Sequence, residues 1–242
     1  MSGEVVDAIT DRTLRPGQGA ARQGDLYDSV RDIYYVKPRL RGWLHVAWFV
    51  AAIALGARLI IEAHGTRELT SAAIYVPGVA GLFGVSALYH RGNWGRVWSA
   101  RLQRADHAMI FLAISATASP AYLVACPGTF GAIGFTVMWV ITAVALVGHM
   151  VWMDAPEKLV GGAFVTVAAA SGLAIPGVWM HAGVAPALLL IAGGVLHGVG
   201  AISYQRRSPD PLPTVFGYHE VFHAYGCVAA ACQYAAIAMV LR

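Results

Sequence analysis

Five residues from three separate stretches of the chain could do chemistry together: Ser86 with His90, Asp106, and His219 with His223. His219 and His223 are spaced i, i+4, which puts them one turn apart on one face of a helix. Two imidazoles so placed can reach one metal ion, as a helical HxxxH does in zinc enzymes. Ser86 and His90 repeat the spacing, so a hydroxyl and an imidazole share a face and His90 can supply a third nitrogen. Three neutral imidazoles leave a fourth position for water, the pattern of an open catalytic zinc site rather than a closed structural one. Zinc lowers the pKa of its water toward ~7, and Asp106 could hold that water and accept its proton.

A bland alternative stands beside each of these residues. One histidine near a helix end more often meets headgroups or a hydrogen-bond partner than a metal. The gathering of His90, His107, His219, His223 and Asp106 at one depth is what favours a metal. Imidazole also suits other transition ions, so the pattern alone does not select zinc. His107 is an alternative ligand, but its i+1 position points it roughly 100° away from Asp106. His219 to His223 also reads as HExxH, in which the Glu beside the first His is a general base. Glu220 is therefore a base or a supporting partner of the ligands, or else an edge acid pairing with Arg206 or Arg207. His45 lies at the same level and is a candidate supporter of the ligands. His149 reads as an interface residue and His197 as a hydrogen-bond partner across helices. Cys126, Cys227 and Cys232 form no CxxC pair, so neither a disulfide framework nor a thiolate site is indicated.

The elements that must position these residues are membrane helices. The 242 residues are 57% hydrophobic and 12% charged, with a mean hydropathy of +0.59, which fits a bilayer as solvent. A spanning helix needs roughly 20 apolar residues. Seven apolar runs qualify: Trp43–Ile61, Leu69–Tyr89, Ala105–Ala125, Thr129–Trp152, Leu159–Met180, Gly183–Tyr204 and Val215–Leu241. The fifth is the weakest because Pro176 interrupts its end. Glycines such as Gly193 and Gly194 read as sites of close helix packing. The expected fold is an all-α integral membrane protein, a seven-helix bundle.

Orientation follows from the basic residues. With the N-terminus in the cytoplasm, fourteen of the seventeen Lys and Arg fall inside, leaving Arg58, Arg67 and Arg242 outside. The N-terminus is then cytoplasmic and the C-terminus external, and His90, Asp106, His107, His219 and His223 all lie at the cytoplasmic boundary. The same scatter of charge over short loops argues against a nucleic-acid partner. Residues 1–42 read as a polar cytoplasmic tail, not a signal peptide, disordered at first with a surface helix around Leu26–Val36 and able to bind a cytoplasmic partner. Residues 43–242 form the membrane domain. Arginine far outnumbers lysine, which suggests a bacterial gene and the bacterial inner membrane.

The stretches Ser86-Ala-Leu-Tyr-His90, Leu102-Gln-Arg-Ala-Asp106-His-Ala-Met-Ile-Phe-Leu112, Thr117-Ala-Ser-Pro120 and Tyr218-His-Glu-Val-Phe-His223 resemble the hemolysin III family. That family is the bacterial arm of the progestin and adipoQ receptor superfamily, which includes the adiponectin receptors. The resemblance covers the chain after about Pro38. It implies seven helices with a cytoplasmic N-terminus, zinc on His90, His219 and His223, Asp106 on the zinc water and Ser86 close by. Alkaline ceramidases in the superfamily suggest hydrolysis of a lipid amide or ester, with a ceramide-like or fatty-acyl membrane lipid as substrate and a role in membrane-lipid homeostasis. The family name suggests a pore-former instead, and the receptors a sensor with structural zinc. The sequence departs from the pattern twice. Pro38 and Arg41 stand where relatives often carry an acidic residue and Asn, and Gln233 replaces a histidine common late in the last span.

Overall fold

The computed structural model describes residues 13–14, 25–28, 33–152 and 155–242. The membrane part is built of helices. Its helices are α1 Trp43–Glu62, α2 Thr66–Arg91, α3 Arg96–Pro120, α4 Gly128–Val151, α5 Glu157–Gly172, α6 Ile175–His181, α7 Val184–Arg206 and α8 Tyr218–Val240. With α5 and α6 counted as one broken crossing, seven segments among the described residues are long and apolar enough to span a membrane. The chain is a multi-pass membrane protein. Successive crossings alternate in direction, so the starts of α1, α3, α5 and α8 share one end with the finishes of α2, α4 and α7. This is the basic end of the molecule.

The helix α3 lies at the centre. Buried residues make up 61% of its most apolar stretch, against 11% for the broken fifth crossing, which faces outward. Buried hydroxyls tie α3 to α4: Ser115 bonds Thr142, and Trp139 Nε1 donates to Ser119 Oγ at 3.1 Å. Such bonds substitute for a hydrophobic drive that apolar lipid does not provide. Past Pro120, α3 continues as a π-helical turn, Ala121–Ala125, which faces the break in the fifth crossing. Pro176 has no N–H with which to continue α5, and the helix breaks at Leu173 and Ala174. At that break Tyr122 donates to the Ala170 carbonyl and Cys126 to that of Ala174, so the irregular backbone is served by protein rather than left to lipid.

Two expectations need correction. The third span begins at Arg96, not Ala105, because the arginines read as loop ride on the first turns of the helix. Arg101, for example, lies over the Trp98 ring at 5.3 Å. Asp106 and His107 are therefore about three turns into α3. Among the described residues, the surface helix expected around Leu26–Val36 is not found either. The described residues there, β2 Asp25–Asp28 and β3 Ile33–Val36, pair antiparallel, with β1 Thr13–Leu14 on the other side of β3. The β-branched and aromatic run Ile33-Tyr-Tyr-Val36 favours a strand. The expected disorder of the tail falls otherwise outside the described residues.

Small residues set the helix spacing. A Cβ added at Gly78 of α2 would meet the Ala116 Cβ of α3 at 2.3 Å, and one at Gly193 would meet Gln233 at 2.8 Å. Gly194 faces open space instead, so only one of that glycine pair packs closely. Gly78→Ala should therefore lower stability by about 1–3 kcal/mol as α2 and α3 are forced apart. Gly194→Ala should leave it equal or slightly higher, since helix propensity favours alanine. Thermal denaturation of the two variants in one detergent checks this; equal melting points would refute it.

Candidate metal centre

Three helix ends meet at the basic end. His90 is the penultimate residue of α2, and His219 and His223 occupy the first two turns of α8. Nitrogens of the three rings all lie within 4.8 Å of one another. The ring centroids are 4.7 Å apart for His90 and His219, 5.0 Å for His90 and His223, and 4.5 Å for His219 and His223. His90 and His223 are buried, while His219 is half-buried. The i, i+4 spacing thus does what the sequence suggested, and α2 brings the third ring from 129 residues away.

Around the three rings stand three further polar residues. Asp106 Oδ2 is 3.6 Å from His90 Nε2, an ion-pair distance too long for a hydrogen bond. Ser86, one turn before His90, is buried with its hydroxyl against the Asp106 carboxylate. His45 of α1 stacks face to face on His223, with centroids 3.8 Å apart and planes 13° apart. His45 therefore supports the cluster by packing on one of its members.

The remaining candidates fall elsewhere. His107 faces His149 across the α3–α4 contact at 5.7 Å, on the side away from Asp106, as its spacing implied. His197 interacts with Gln233 across α7 and α8. Glu220 is 1% exposed and does not pair with Arg206 or Arg207. It forms a buried ion pair with Arg41, and its second oxygen accepts the Gly217 N–H at 2.8 Å. Both oxygens are engaged, one of them closing the first turn of α8 in the manner of a capping box. The carboxylate that faces the imidazoles is Asp106.

Arg41 is the participant that sequence reading passed over, noted only as a departure from a pattern. It lies 179 residues from Glu220, and no local spacing announces such a pair. Its segment is strapped over the bundle end. Arg39 N and Leu40 N donate to the Thr214 and Val215 carbonyls, each at 3.0 Å, and Arg91 Nη1 donates to the Arg41 carbonyl at 3.3 Å. The next residue, Gly42, has φ +79°, and a Cβ there would come within 2.8 Å of the His90 Cβ. Glycine alone satisfies both demands at low cost. The strap thus presses directly on the backing of His90.

The residues fit a transition-metal ion. All three donors are imidazoles, and His223 Nδ1 is buried with no hydrogen-bond partner, a costly state for a polar atom unless a further group meets it. A tetrahedral ion with bonds of about 2.0–2.1 Å holds its ligand nitrogens roughly 3.3 Å apart. Side-chain adjustments of about an ångström reach that spacing from the one observed. The buried His90/His219/His223 group can therefore hold a metal.

Removing one member of a buried ion pair costs about 3–5 kcal/mol because the other charge is stranded. Arg41→Met should show a loss of that order. Arg41→Met/Glu220→Gln should recover much of it, since the neutral amide can still accept from Gly217. Melting temperatures of the two variants decide it; a double variant no better than the single would mean the pair is not the source.

A protein-family model described as haemolysin-III related matches residues 33–234. The match takes in the strap, the three helix ends and all of the residues around the cluster.

Proposed function

Starting from a chain that belongs to the haemolysin-III related family, we propose that it is a zinc-dependent membrane hydrolase acting on a lipid amide or ester. The observation that carries this is a buried carboxylate, Asp106, 3.6 Å from one of three converging imidazoles. His90, His219 and His223 would hold the ion through ring nitrogens. When bound, zinc supplies a Lewis acid for a carbonyl oxygen and makes water acidic enough to ionise near neutral pH. Asp106 accepts that proton at Oδ2, and Ser86 steadies the carboxylate. His45 holds the His223 ring in plane, and the Gly42 backbone limits the movement of His90. The less buried side of the cluster, at His219, is where a polar head would enter, with its acyl chain along the apolar helices. A ceramide-like or fatty-acyl lipid has that shape.

The buried, all-imidazole cluster also makes a soluble pore-forming toxin a poor description. Its helices are apolar on most sides and suit permanent residence in a bilayer.

Purified wild type should carry about one zinc per chain, and His219→Ala/His223→Ala should carry none. Asp106→Asn should keep the metal yet release fatty acid from a ceramide-like substrate at least about 100-fold more slowly. Turnover unaffected by chelation and by Asp106→Asn would overturn the hydrolase. Zinc whose removal melts the protein, with no turnover on a broad lipid panel, would favour a sensor with structural metal. Dye leakage from liposomes that survives His219→Ala would favour a pore.

The reading also puts the basic end, with ten of the thirteen described Lys and Arg, at the cytoplasmic face of a bacterial inner membrane. A periplasm-active phosphatase fused after Arg242 should then be active, and one fused after Arg207 inactive. The reverse pattern would invert the topology.

A further inference from the structure

Beside the metal centre, at the start of α1, three cations lie close together, and one carboxylate pairs with one of them. Arg41 takes that carboxylate, Glu220, whose other oxygen is held by Gly217. The other two cations meet only neutral groups among the described residues. Lys37 Nζ donates to the Gly92 carbonyl at 3.1 Å. Arg91 donates to the Arg41 carbonyl and lies over the Trp43 ring at 4.4 Å. Each retains N–H groups beyond the one so used. The first turn of α1 carries no acidic residue and no capping side chain; the Leu40 carbonyl takes the Trp43 N–H at 3.1 Å, but no negative charge on the helix itself offsets the positive end of its dipole. Arg91 carbons lie 3.4 Å from the Cβ position of Gly42, so guanidinium and helix start are immediate neighbours. Half-burial together with Arg91 and Arg41 lowers the Lys37 ammonium from its usual range to about 8. Leu40 and Trp43, both exposed, flank the corner with apolar surface.

We propose that this corner is a binding site for a phosphate group, gripped by Lys37 and Arg91 at the uncapped start of α1. Surplus positive charge on a half-buried lysine and an exposed arginine, with donors from both side chains and a helix N-terminus, is the chemistry that selects phosphate oxygens. Two sources can supply the group: an anionic phospholipid headgroup or free phosphate. Exposed Trp43 and Leu40 at the edge favour the lipid, since tryptophan settles at headgroup depth. The site is independent of the metal reading, because none of its groups is a proposed ligand. Occupancy would load the strap that backs His90, through Arg91 and Gly42.

Native mass spectrometry of the full chain, released from mixed micelles of phosphatidylglycerol and phosphatidylcholine of equal chain length, tests this. Wild type should retain one phosphatidylglycerol in preference to phosphatidylcholine. Lys37→Gln/Arg91→Gln should weaken that preference about 30-fold, at roughly fivefold per basic residue. Arg206→Gln/Arg207→Gln removes equal charge from another loop at the same end and should change it little. Lys37→Arg, which keeps the charge and disturbs packing least, should retain the lipid. It should also abolish the decline in preference that wild type shows between pH 7 and 9.5, as Lys37 loses its proton. Inorganic phosphate replacing the lipid at millimolar concentration would make the source soluble while upholding the site. Equal losses in the two double variants, or none in either, would overturn the proposal, as would loss of the lipid in Lys37→Arg.

Discussion

Polar groups withdrawn from water in an apolar bundle must find one another, and at the basic end of this molecule that requirement decides the arrangement. A buried glutamate on α8 is tolerable because Arg41 and the Gly217 N–H take its two oxygens. Pairing them draws the segment before α1 across the helix ends, where Gly42 bears on His90. The other oxygen of the same glutamate closes the first turn of α8, which carries His219 and leads into His223. One paired glutamate thus fixes the start of α8 and the backing of the imidazole contributed by α2. The imidazoles, Asp106 and Ser86 then meet within a space that no single helix could define.

The central position of α3 completes this arrangement. It is the most buried crossing, and it delivers Asp106 to the cluster on one side while His107 looks toward α4 on the other. Further along, its hydroxyls and the π-helical turn at Ala121–Ala125 bond to α4 and to the broken fifth crossing. Displacement of α3 would therefore move Asp106 relative to the imidazoles. The outward crossings α4 and α5–α6 contribute none of the residues around the cluster.

Much of this was legible in the sequence because it rests on periodicity and hydropathy. Seven apolar runs gave seven crossings, and i, i+4 spacing placed Ser86 with His90 and His219 with His223. The i+1 offset separated His107 from Asp106. What was illegible depends on contacts distant in sequence. Nothing near Arg41 signals a partner 179 residues away, and Glu220 looked free to pair with the closer Arg206 or Arg207. The start of α3 was misplaced because charged residues on a projecting helix resemble a loop when only apolar runs are counted. The two departures from the family pattern acquire structural roles here: Arg41 pairs with Glu220, and Gln233 meets His197 and packs on Gly193.

The central claim is that three imidazoles, and no thiolate, hold zinc at the meeting of α2 and α8. X-ray absorption at the zinc edge of the purified, intact protein tests it most directly. The account predicts three imidazole nitrogens and a further light atom at about 2.0–2.1 Å. A sulfur shell at about 2.3 Å, or zinc that is absent from well-folded protein, would contradict it.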